Sequence, residues 1–230
     1  CMPTGKNIKG ALEEVFKDAE ERNGNLRIVM LTNGNRAMLE TMFPDKFDYV
    51  RSPENQDYIY TSRDLATLAG KRFHAKRNHI SKFYRTYTDT RFETLSDSNI
   101  PDALTVAKLW CAENDTDPEA SSEITAIREM CDLKDEYNVK GAVLYVDSKP
   151  VAMTLGSEIS PKVYDINFEK ALREYDGVYA VINNEFAKTL TQYEYINREE
   201  DMGLEGLKKS KLSYNPVIIL DRWNAIPKKR

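Results

Sequence analysis

The sequence predicts an α/β protein with a mixed sheet, and three of its features support this prediction. Amphipathic stretches with a helical period alternate along the chain with short apolar runs of strand length. The turn sequence Asp-Ser-Lys-Pro at residues 147–150 joins two of these runs and predicts a β-hairpin. The 230 residues, of which 41% are hydrophobic and 30% charged, are enough to bury a large core.

The first part of the chain already shows this alternation. Residues 8–22 are predicted to form an amphipathic helix, and residues 26–31 a short strand. An Asn-Gly turn at residue 33 then leads into a helix that ends near residue 42. Two further short strands are expected at 47–50 and 58–60, and this part contains no glycine-rich nucleotide loop.

Residues 71–85 form the one strongly basic stretch of a chain whose formal net charge is −4. The stretch holds six Lys or Arg, both histidines and no carboxylate, so we expect a phosphate-bearing partner to contact it. The residues predicted to bind phosphate or tRNA are Lys76, Arg77, His79 and Lys82. A simple solvated helix would show the same charges, and Arg77 falls on the apolar side, where a structural partner is equally compatible with the pattern.

From residue 91 onward the predicted elements follow the order strand, two helices, hairpin, strand, helix, strand, helix, strand. The strands are expected at 92–95, 139–146, 151–155, 163–169, 193–196 and 217–220, the last of them buried. The helices are expected at 100–111, 124–131, 178–190 and 204–212. This order is similar to an acyltransferase fold of the GNAT type, although element order alone is weak evidence for function.

The strand at 163–169 carries polar side chains inside an otherwise apolar region. Strict alternation would place Asp165, Asn167 and Glu169 together on one face of this strand. A half-exposed strand would give the same pattern. The functional interpretation is that these side chains line a cleft, with Asp165 or Glu169 acting as a catalytic base or binding an amine, and Asn167 contacting the substrate.

Residues 197–216 contain the most specific pattern of the chain. Acidic residues precede the predicted helix and lysines end it, which complements the helix macrodipole. Capping does not explain the Asn197-Arg198 pair that leaves a strand, nor the two lysines on the leucine-bearing side of the helix. Arg198 is therefore a predicted catalytic residue, whereas Glu199 and Glu200 are interpreted as solvated charges. The predicted substrate-binding residues of this part are Asn197, Lys208, Lys211 and Tyr214.

Several of these segments resemble the phosphatidylglycerol lysyltransferase C-terminal-domain family. The similar segments are Lys-Arg-Asn-His at 76–79, Phe-Glu-Lys-Ala at 168–171, the block at 197–216, Asp-Tyr-Ile-Tyr at 57–60 and Leu-Ala-Gly-Lys at 68–71. The resemblance implies two tandem GNAT-like halves, one at 1–88 that includes the basic helix and one at 89–230. It also implies that the first half lacks an N-terminal portion.

The resemblance implies transfer of an aminoacyl group from aminoacyl-tRNA to an unknown acceptor, either a small molecule or a lipid headgroup. Coenzyme A is a disfavoured alternative donor, and no other cofactor is expected. Acyl-CoA enzymes of this fold carry a glycine-rich loop that holds the pyrophosphate, and Asp176 occupies the corresponding place here, with a charge that would repel phosphate. Two further hypotheses are an acyl-CoA-dependent N-acyltransferase and a non-catalytic module that binds RNA or another phosphorylated ligand.

The residues also limit the chemistry. No Ser-His-Asp or Cys-His arrangement is apparent, so direct transfer is favoured over a covalent acyl-enzyme. Arg198, Lys208 and Lys211 could neutralise a phosphate or a developing oxyanion. Only two histidines and three cysteines without CxxC spacing occur, which predicts no metal site and fits a reducing cytoplasm. No apolar run is long enough to cross a bilayer.

Overall fold

The structure is a computed structural model that describes residues 1–22, 24, 26–114, 117 and 121–228. The helices of this part of the chain are α1 (Ile8–Glu21), α2 (Asn33–Met42), α3 (Ser62–Thr67), α4 (His74–Thr86), α5 (Ile100–Glu113), α6 (Ser122–Asp132), α7 (Val178–Lys188) and α8 (Glu205–Leu212). The strands are β1 (Ile28–Leu31), β2 (Phe47–Arg51), β3 (Asp57–Thr61), β4 (Thr90–Thr94), β5 (Lys140–Val146), β6 (Lys149–Ser160), β7 (Val163–Ala171), β8 (Tyr195–Asn197), β9 (Ile218–Leu220) and β10 (Trp223–Pro227).

The chain divides into two units, each with its own core. The first comprises Cys1–Tyr58, Glu200–Lys211 and Ile218–Arg230, and the second comprises Ile59–Glu199 and Leu212–Val217. These bounds differ from the predicted halves, because α4 belongs to the second unit and two C-terminal segments belong to the first. The assignment of 1–88 and 89–230 to two family-like halves stays a prediction.

The first unit is built around a small antiparallel sheet. Its strands lie in the order β1-β10-β2, so that the last strand of the chain inserts between the first two. The amphipathic stripes of α1 and α2 supply most of the remaining core, in which the buried residues are Leu12, Phe16, Ile28, Leu31, Leu39, Phe47 and Ala225. In β9, which the sequence predicts to be buried, Ile218 and Ile219 are exposed.

The second unit holds a larger mixed sheet with the strand order β4-β5-β6-β7-β8-β3. Neighbouring strands are antiparallel except β7 and β8, which are parallel. Helices α5 and α6 cover one face through a core that includes Ile127, Val143 and Phe168. The opposite face packs on α7, where the rings of Tyr164 and Phe186 are in contact. The mixed α/β class predicted from the sequence is therefore confirmed.

The predicted hairpin connects β5 to β6 through a two-residue turn. Val146 pairs with Lys149, and the two residues between them, Asp147 and Ser148, have φ values of +48° and +63°. Two consecutive left-handed residues are typical of a type I′ turn, whose twist matches that of the flanking strands.

A β-bulge in β7 changes which side chains share a face. Ile166 pairs with Gly156 and Phe168 with Leu155, so Asn167 is an extra residue in the ladder. Glu169 pairs with Thr154, which lies on the same face of β6 as Gly156. Glu169 consequently shares its face with Ile166, and Asp165 lies on the opposite face. The prediction that Asp165 and Glu169 line one face is wrong, because the bulge shifts the alternation by one residue.

Gly156 permits this bulge. A Cβ atom at position 156 would overlap the carbonyl oxygen of Asp165 and lie 2.6 Å from Cε1 of Tyr164. We therefore expect Gly156→Ala to lower the free energy of unfolding by about 1–3 kcal/mol, as overpacking of a core does. Gly206→Ala in α8 is the control, since no atom lies within 4 Å of its added Cβ, and it should be neutral or slightly stabilising. Equal effects of the two substitutions in urea denaturation would contradict this account.

Helix α4 is fixed by α3 and α7 within the second unit. The Arg77 guanidinium donates to the carbonyl oxygens of Leu68 and Gly70, which end the turn after α3. Asn184 of α7 donates to the last carbonyls of α3, at 2.7 and 2.9 Å. A Cβ on Gly177, just before α7, would lie 2.9 Å from the carbonyl oxygen of His79, so the backbones of α4 and α7 are in close contact.

Candidate functional site

A buried ion pair between Glu169 and Arg198 forms the centre of the candidate site. Glu169 comes from β7 after the bulge, and Arg198 follows the last residue of β8. Nη2 of Arg198 lies 2.7 Å from Oε1 of Glu169, and the two side chains are 11% and 10% exposed. The structure thus brings together two of the three predicted catalytic residues.

The pair lies where the two parallel strands cease to pair. β7 and β8 are paired only from Val163–Tyr195 to Asp165–Asn197, whereas β7 continues to Ala171. Glu169 and Arg198 lie beyond this short paired segment. Beyond this segment no ladder hydrogen bonds join these two described strands, so polar side chains can lie between them.

Aromatic rings surround the guanidinium. The Cζ atom of Arg198 is 4.8 Å from the ring centre of Tyr214 and 5.8 Å from that of Tyr60, and both rings are buried. Nζ of Lys76, from α4, lies 3.9 Å from the ring centre of Tyr214. Tyr214 is therefore in contact with two cations, an arrangement that stabilises both through the electron-rich ring face.

The pKa values of the cluster reflect burial and these charges. Burial lowers the pKa of Lys76 to about 8, and Arg198 adds to this while Glu169 opposes it. Burial also lowers the pKa of the Arg198 guanidinium, but Glu169, Tyr60 and Tyr214 together outweigh it and the net pKa lies above the usual value. Burial raises the pKa of Tyr214 to about 12. Two cations thus share one carboxylate, so the cluster carries excess positive charge in a poorly solvated place.

Near Glu169, two fully buried oxygen atoms, one of Asn183 and one of Thr154, have no hydrogen-bond partner in the described part of the chain. Nδ2 of Asn183, from α7, donates to Oε2 of Glu169 at 3.0 Å. Its Oδ1 atom has no hydrogen-bond partner among the described residues, and the same holds for Oγ1 of Thr154, which lies opposite Glu169 on β6. Buried polar atoms without partners are costly, and they are common where a ligand or a water molecule completes the bonding.

Asp165 and Asn167 form a separate polar network on the other face of β7. Asn167 donates to Asp165 at 3.2 Å and to Glu199 at 3.3 Å, and its Oδ1 lies 3.1 Å from Oγ of Ser157. Asn197 is buried and accepts a bond from the backbone N–H of Glu199. Glu199, interpreted from the sequence as a solvated charge, therefore takes part in this network.

The four basic residues predicted on α4 point to different surroundings. Lys76 joins the buried cluster, whereas Arg77 is engaged by the carbonyls after α3. Lys82 pairs with Asp176 at 2.6 Å, with both side chains 61% exposed. His79 and Lys82 line a shallow depression of about 600 Å³, together with Asn78, Ser81, Arg85 and Asp176. Only this exposed end of the helix presents a basic surface.

The two lysines predicted to bind substrate lie in the first unit. Lys208 is exposed on α8. Lys211 is 7% exposed, donates to the carbonyl oxygen of Glu200 and lies near the ring of Tyr58. Tyr58 in turn donates to buried Asp201 at 2.6 Å. Lys211 therefore stabilises the turn before α8 and lies beside Tyr58, which is bonded to Asp201.

Sequence reasoning overlooked three members of the cluster around Glu169, namely Tyr60, Thr154 and Asn183. Asn183 could have been noticed in the sequence, because it is a polar residue among the apolar residues of a predicted helix whose neighbours are expected to be buried. Thr154 left none, because threonine is common in strands. The described residues contain no group of His, Cys, Asp or Glu arranged to hold a metal ion. They also form no helix long and apolar enough to cross a membrane.

Comparison with known proteins gives the chain a family context. The family model described as phosphatidylglycerol lysyltransferase, C-terminal, matches residues 1–226. A conserved protein of unknown function from Bacteroides thetaiotaomicron is 38% identical and superimposes with a TM-score of 0.88, covering 98% of this chain and 77% of that one. The structure of L-PGS from Bacillus licheniformis gives a TM-score of 0.70 at 13% identity, covering 97% and 74% of the two chains.

A more distant solved structure extends the likeness of fold. A tandem GNAT protein from the clavulanic acid biosynthesis pathway has a TM-score of 0.54 at 11% identity, covering 99% of this chain and 72% of that one. At this identity the match concerns the fold alone. It confirms the GNAT-like class predicted from the order of elements.

Proposed function

Since the chain belongs to the phosphatidylglycerol lysyltransferase C-terminal family, we propose that it transfers an aminoacyl group from aminoacyl-tRNA to an acceptor. The acceptor is a small molecule or a lipid headgroup that carries an amine or a hydroxyl. The observation that supports this proposal most is the buried Glu169–Arg198 pair with Lys76 and Tyr214 around it. A buried, charged and partly unsatisfied cluster costs stability, and such clusters are concentrated at sites of chemistry.

The cluster contains the groups that direct aminoacyl transfer requires. Attack on the ester carbonyl creates negative charge on its oxygen, and the Arg198 cation, held by Glu169, can stabilise this oxyanion. Oδ1 of Asn183 and the remaining acceptor capacity of Glu169 can bind the amino group of the donor. Cys111 and Cys131 are buried in the helical core of the second unit, which favours direct transfer over an acyl-enzyme.

The exposed basic end of α4 is the proposed contact for the tRNA backbone. His79 and Lys82 line the shallow depression there together with Asp176, which pairs with Lys82, and Arg85 adds a further positive charge. Contacts of this kind are sensitive to salt, because binding releases condensed counterions. Lys208, exposed on α8, is a further candidate for a phosphate contact.

Coenzyme A is disfavoured as the donor. In the loop before α7, Asp176 carries its carboxylate outward and pairs with Lys82. The His79 carbonyl approaches Gly177 closely, so α4 already occupies the space beside the first turn of α7. Both features work against a pyrophosphate at this helix start.

Binding measurements with three probes test the proposal. We expect aminoacyl-tRNA to bind more tightly than uncharged tRNA, and acetyl-CoA to leave the melting temperature unchanged. Glu169→Gln should reduce the preference for charged tRNA by about tenfold or more, the loss expected for a charge-assisted contact. Glu136→Gln, on an exposed residue of the same unit, is the matched control and should have no effect.

Either of two results would contradict the proposal and favour another function. Specific stabilisation by acetyl-CoA without tRNA binding would favour an acyl-CoA-dependent N-acyltransferase. Equal affinity for charged and uncharged tRNA, with no transfer, would favour a non-catalytic RNA-binding module.

A further inference from the structure

Lys76 is the titratable group of the cluster that the proposed chemistry has not yet used. Its side chain leaves the basic face of α4 and lies with Nζ 3.9 Å from the ring centre of Tyr214, partly buried. Its exposed neighbours on the same helix, His79 and Lys82, face solvent instead. Lys76 is thus separated from the basic surface to which its sequence position assigns it.

The other groups of the cluster already hold a partner, lack a lone pair or keep their own proton. Both carboxylate oxygens of Glu169 already accept hydrogen bonds, one from Arg198 and one from Asn183, so this carboxylate holds the guanidinium in place. A guanidinium has no lone pair to offer and stays charged in proteins. Burial raises the pKa of Tyr214 to about 12, so its hydroxyl keeps its proton at neutral pH.

The surroundings of Lys76 favour its neutral form. Burial is the largest cause, and the Arg198 cation, which contacts the same ring, is the second. Glu169 is the carboxylate that opposes them, and it is already paired with Arg198. The net effect of the three lowers the pKa of Lys76 to about 8. This is close to the value at which an amine is an effective base in neutral solution.

We propose that Lys76 is the proton acceptor of this site. The inference rests on the proposed function for the identity of the proton, which belongs to the attacking amine or hydroxyl of the acceptor. As the nucleophile forms its bond to the ester carbonyl carbon, its proton moves to the lone pair of Lys76 Nζ. When the bond between that carbon and the ribose oxygen breaks, the proton passes from Nζ to the leaving oxygen. Arg198 faces the oxyanion throughout.

Competitive labelling measures the protonation of Lys76 without any assumption about the substrate. Trace acetic anhydride reacts with neutral amines only, so the pH dependence of labelling at each lysine, read by peptide mass spectrometry, gives its titration midpoint. We expect a midpoint near pH 8 for Lys76. Lys82 is the internal control, because Asp176 raises its pKa and it should label only at higher pH. Coincident midpoints for the two lysines would overturn the proposal.

Glu169→Gln supplies a second, directional check on the same residue. The substitution removes the carboxylate that favours the ammonium form, so the midpoint of Lys76 should fall further. An unchanged midpoint would show that Lys76 does not lie in this cluster. Wild-type labelling decides the question alone if the variant does not fold.

Single-turnover consumption of aminoacyl-tRNA tests the catalytic role. The wild-type rate should rise with pH and level off above about 8, following the titration of Lys76. Lys76→Arg keeps a positive charge but cannot accept a proton, and it should lose about a hundredfold in rate together with this pH dependence. Retention of the rate and its profile would overturn the role. A midpoint near 8 with no consumption of aminoacyl-tRNA would contradict the proposed donor and leave the proton-accepting state of Lys76 established.

Discussion

Replacing Glu169 by leucine is expected to lower the free energy of unfolding by about 3–5 kcal/mol, the cost of leaving a buried charge without its partner. Arg198 and Lys76, which both contact the ring of Tyr214, would then lose the carboxylate that compensates their charges. Arg198→Met should cost less, because Glu169 would keep Lys76 as a counter-ion. Urea denaturation of the two variants at pH 7 measures this asymmetry.

The double variant Glu169→Leu with Arg198→Met provides the control for this prediction. Removing both charges replaces a buried ion pair by apolar groups, which is often close to neutral. The double variant should therefore be more stable than Glu169→Leu alone, although it carries one substitution more. Additive losses, or a greater loss from Arg198→Met than from Glu169→Leu, would mean that the excess positive charge is not the dominant feature of the site.

Local sequence patterns predicted most elements of the fold, although α3 and β10 were missed. The amphipathic stripe of α1, the turn before β6 and the alternation of helices with strands depend on short-range periodicity, and all three are found in the structure. Whether the apolar run at 217–220 is buried could not be predicted in this way. An apolar stretch indicates a strand, but its burial depends on what packs against it, and Ile218 and Ile219 are exposed.

The grouping of the site residues was predicted only in part. Glu169 and Arg198 were both identified and are in contact, because each interrupts an apolar pattern next to a strand end. Asp165 was grouped with Glu169 by strict alternation, which fails where a bulge inserts one residue. The cause of the bulge is the close approach permitted by Gly156 on a neighbouring strand, and a single-strand pattern carries no information about it.

The basic helix illustrates a second limit of sequence patterns. Charge counting treats Lys76, Arg77 and Lys82 alike, yet the first enters the buried cluster, the second binds backbone carbonyls and the third pairs with a surface carboxylate. These differences arise from what lies beside each side chain in the fold, namely the ring of Tyr214, the carbonyls that follow α3 and the loop before α7. Only the tertiary contacts lower the pKa of Lys76 and raise that of Lys82.

Lys76→Met is expected to stabilise the protein at pH 7 and to lose this advantage as the pH rises. The pKa of Lys76 is lowered to about 8 in the folded protein, from an ordinary value of 10.5. At pH 7 both folded and unfolded chains carry the ammonium, and the folded state bears the cost of burying it. Between pH 8 and 10.5 the unfolded chain binds more protons at this residue than the folded one, so wild-type stability rises with pH relative to the variant.

The difference in free energy of unfolding between Lys76→Met and wild type should therefore shrink by about 1–2 kcal/mol from pH 7 to pH 10, after allowance for partial exposure. Buried tyrosines also titrate at high pH, but they do so in both proteins and largely cancel in the difference. Lys82→Met is the matched control, because Asp176 raises the pKa of Lys82 and its removal should give no gain across the same range. A difference that stays constant with pH would mean that Lys76 keeps an ordinary ammonium, and both its place in the cluster and its role as proton acceptor would then have to be abandoned.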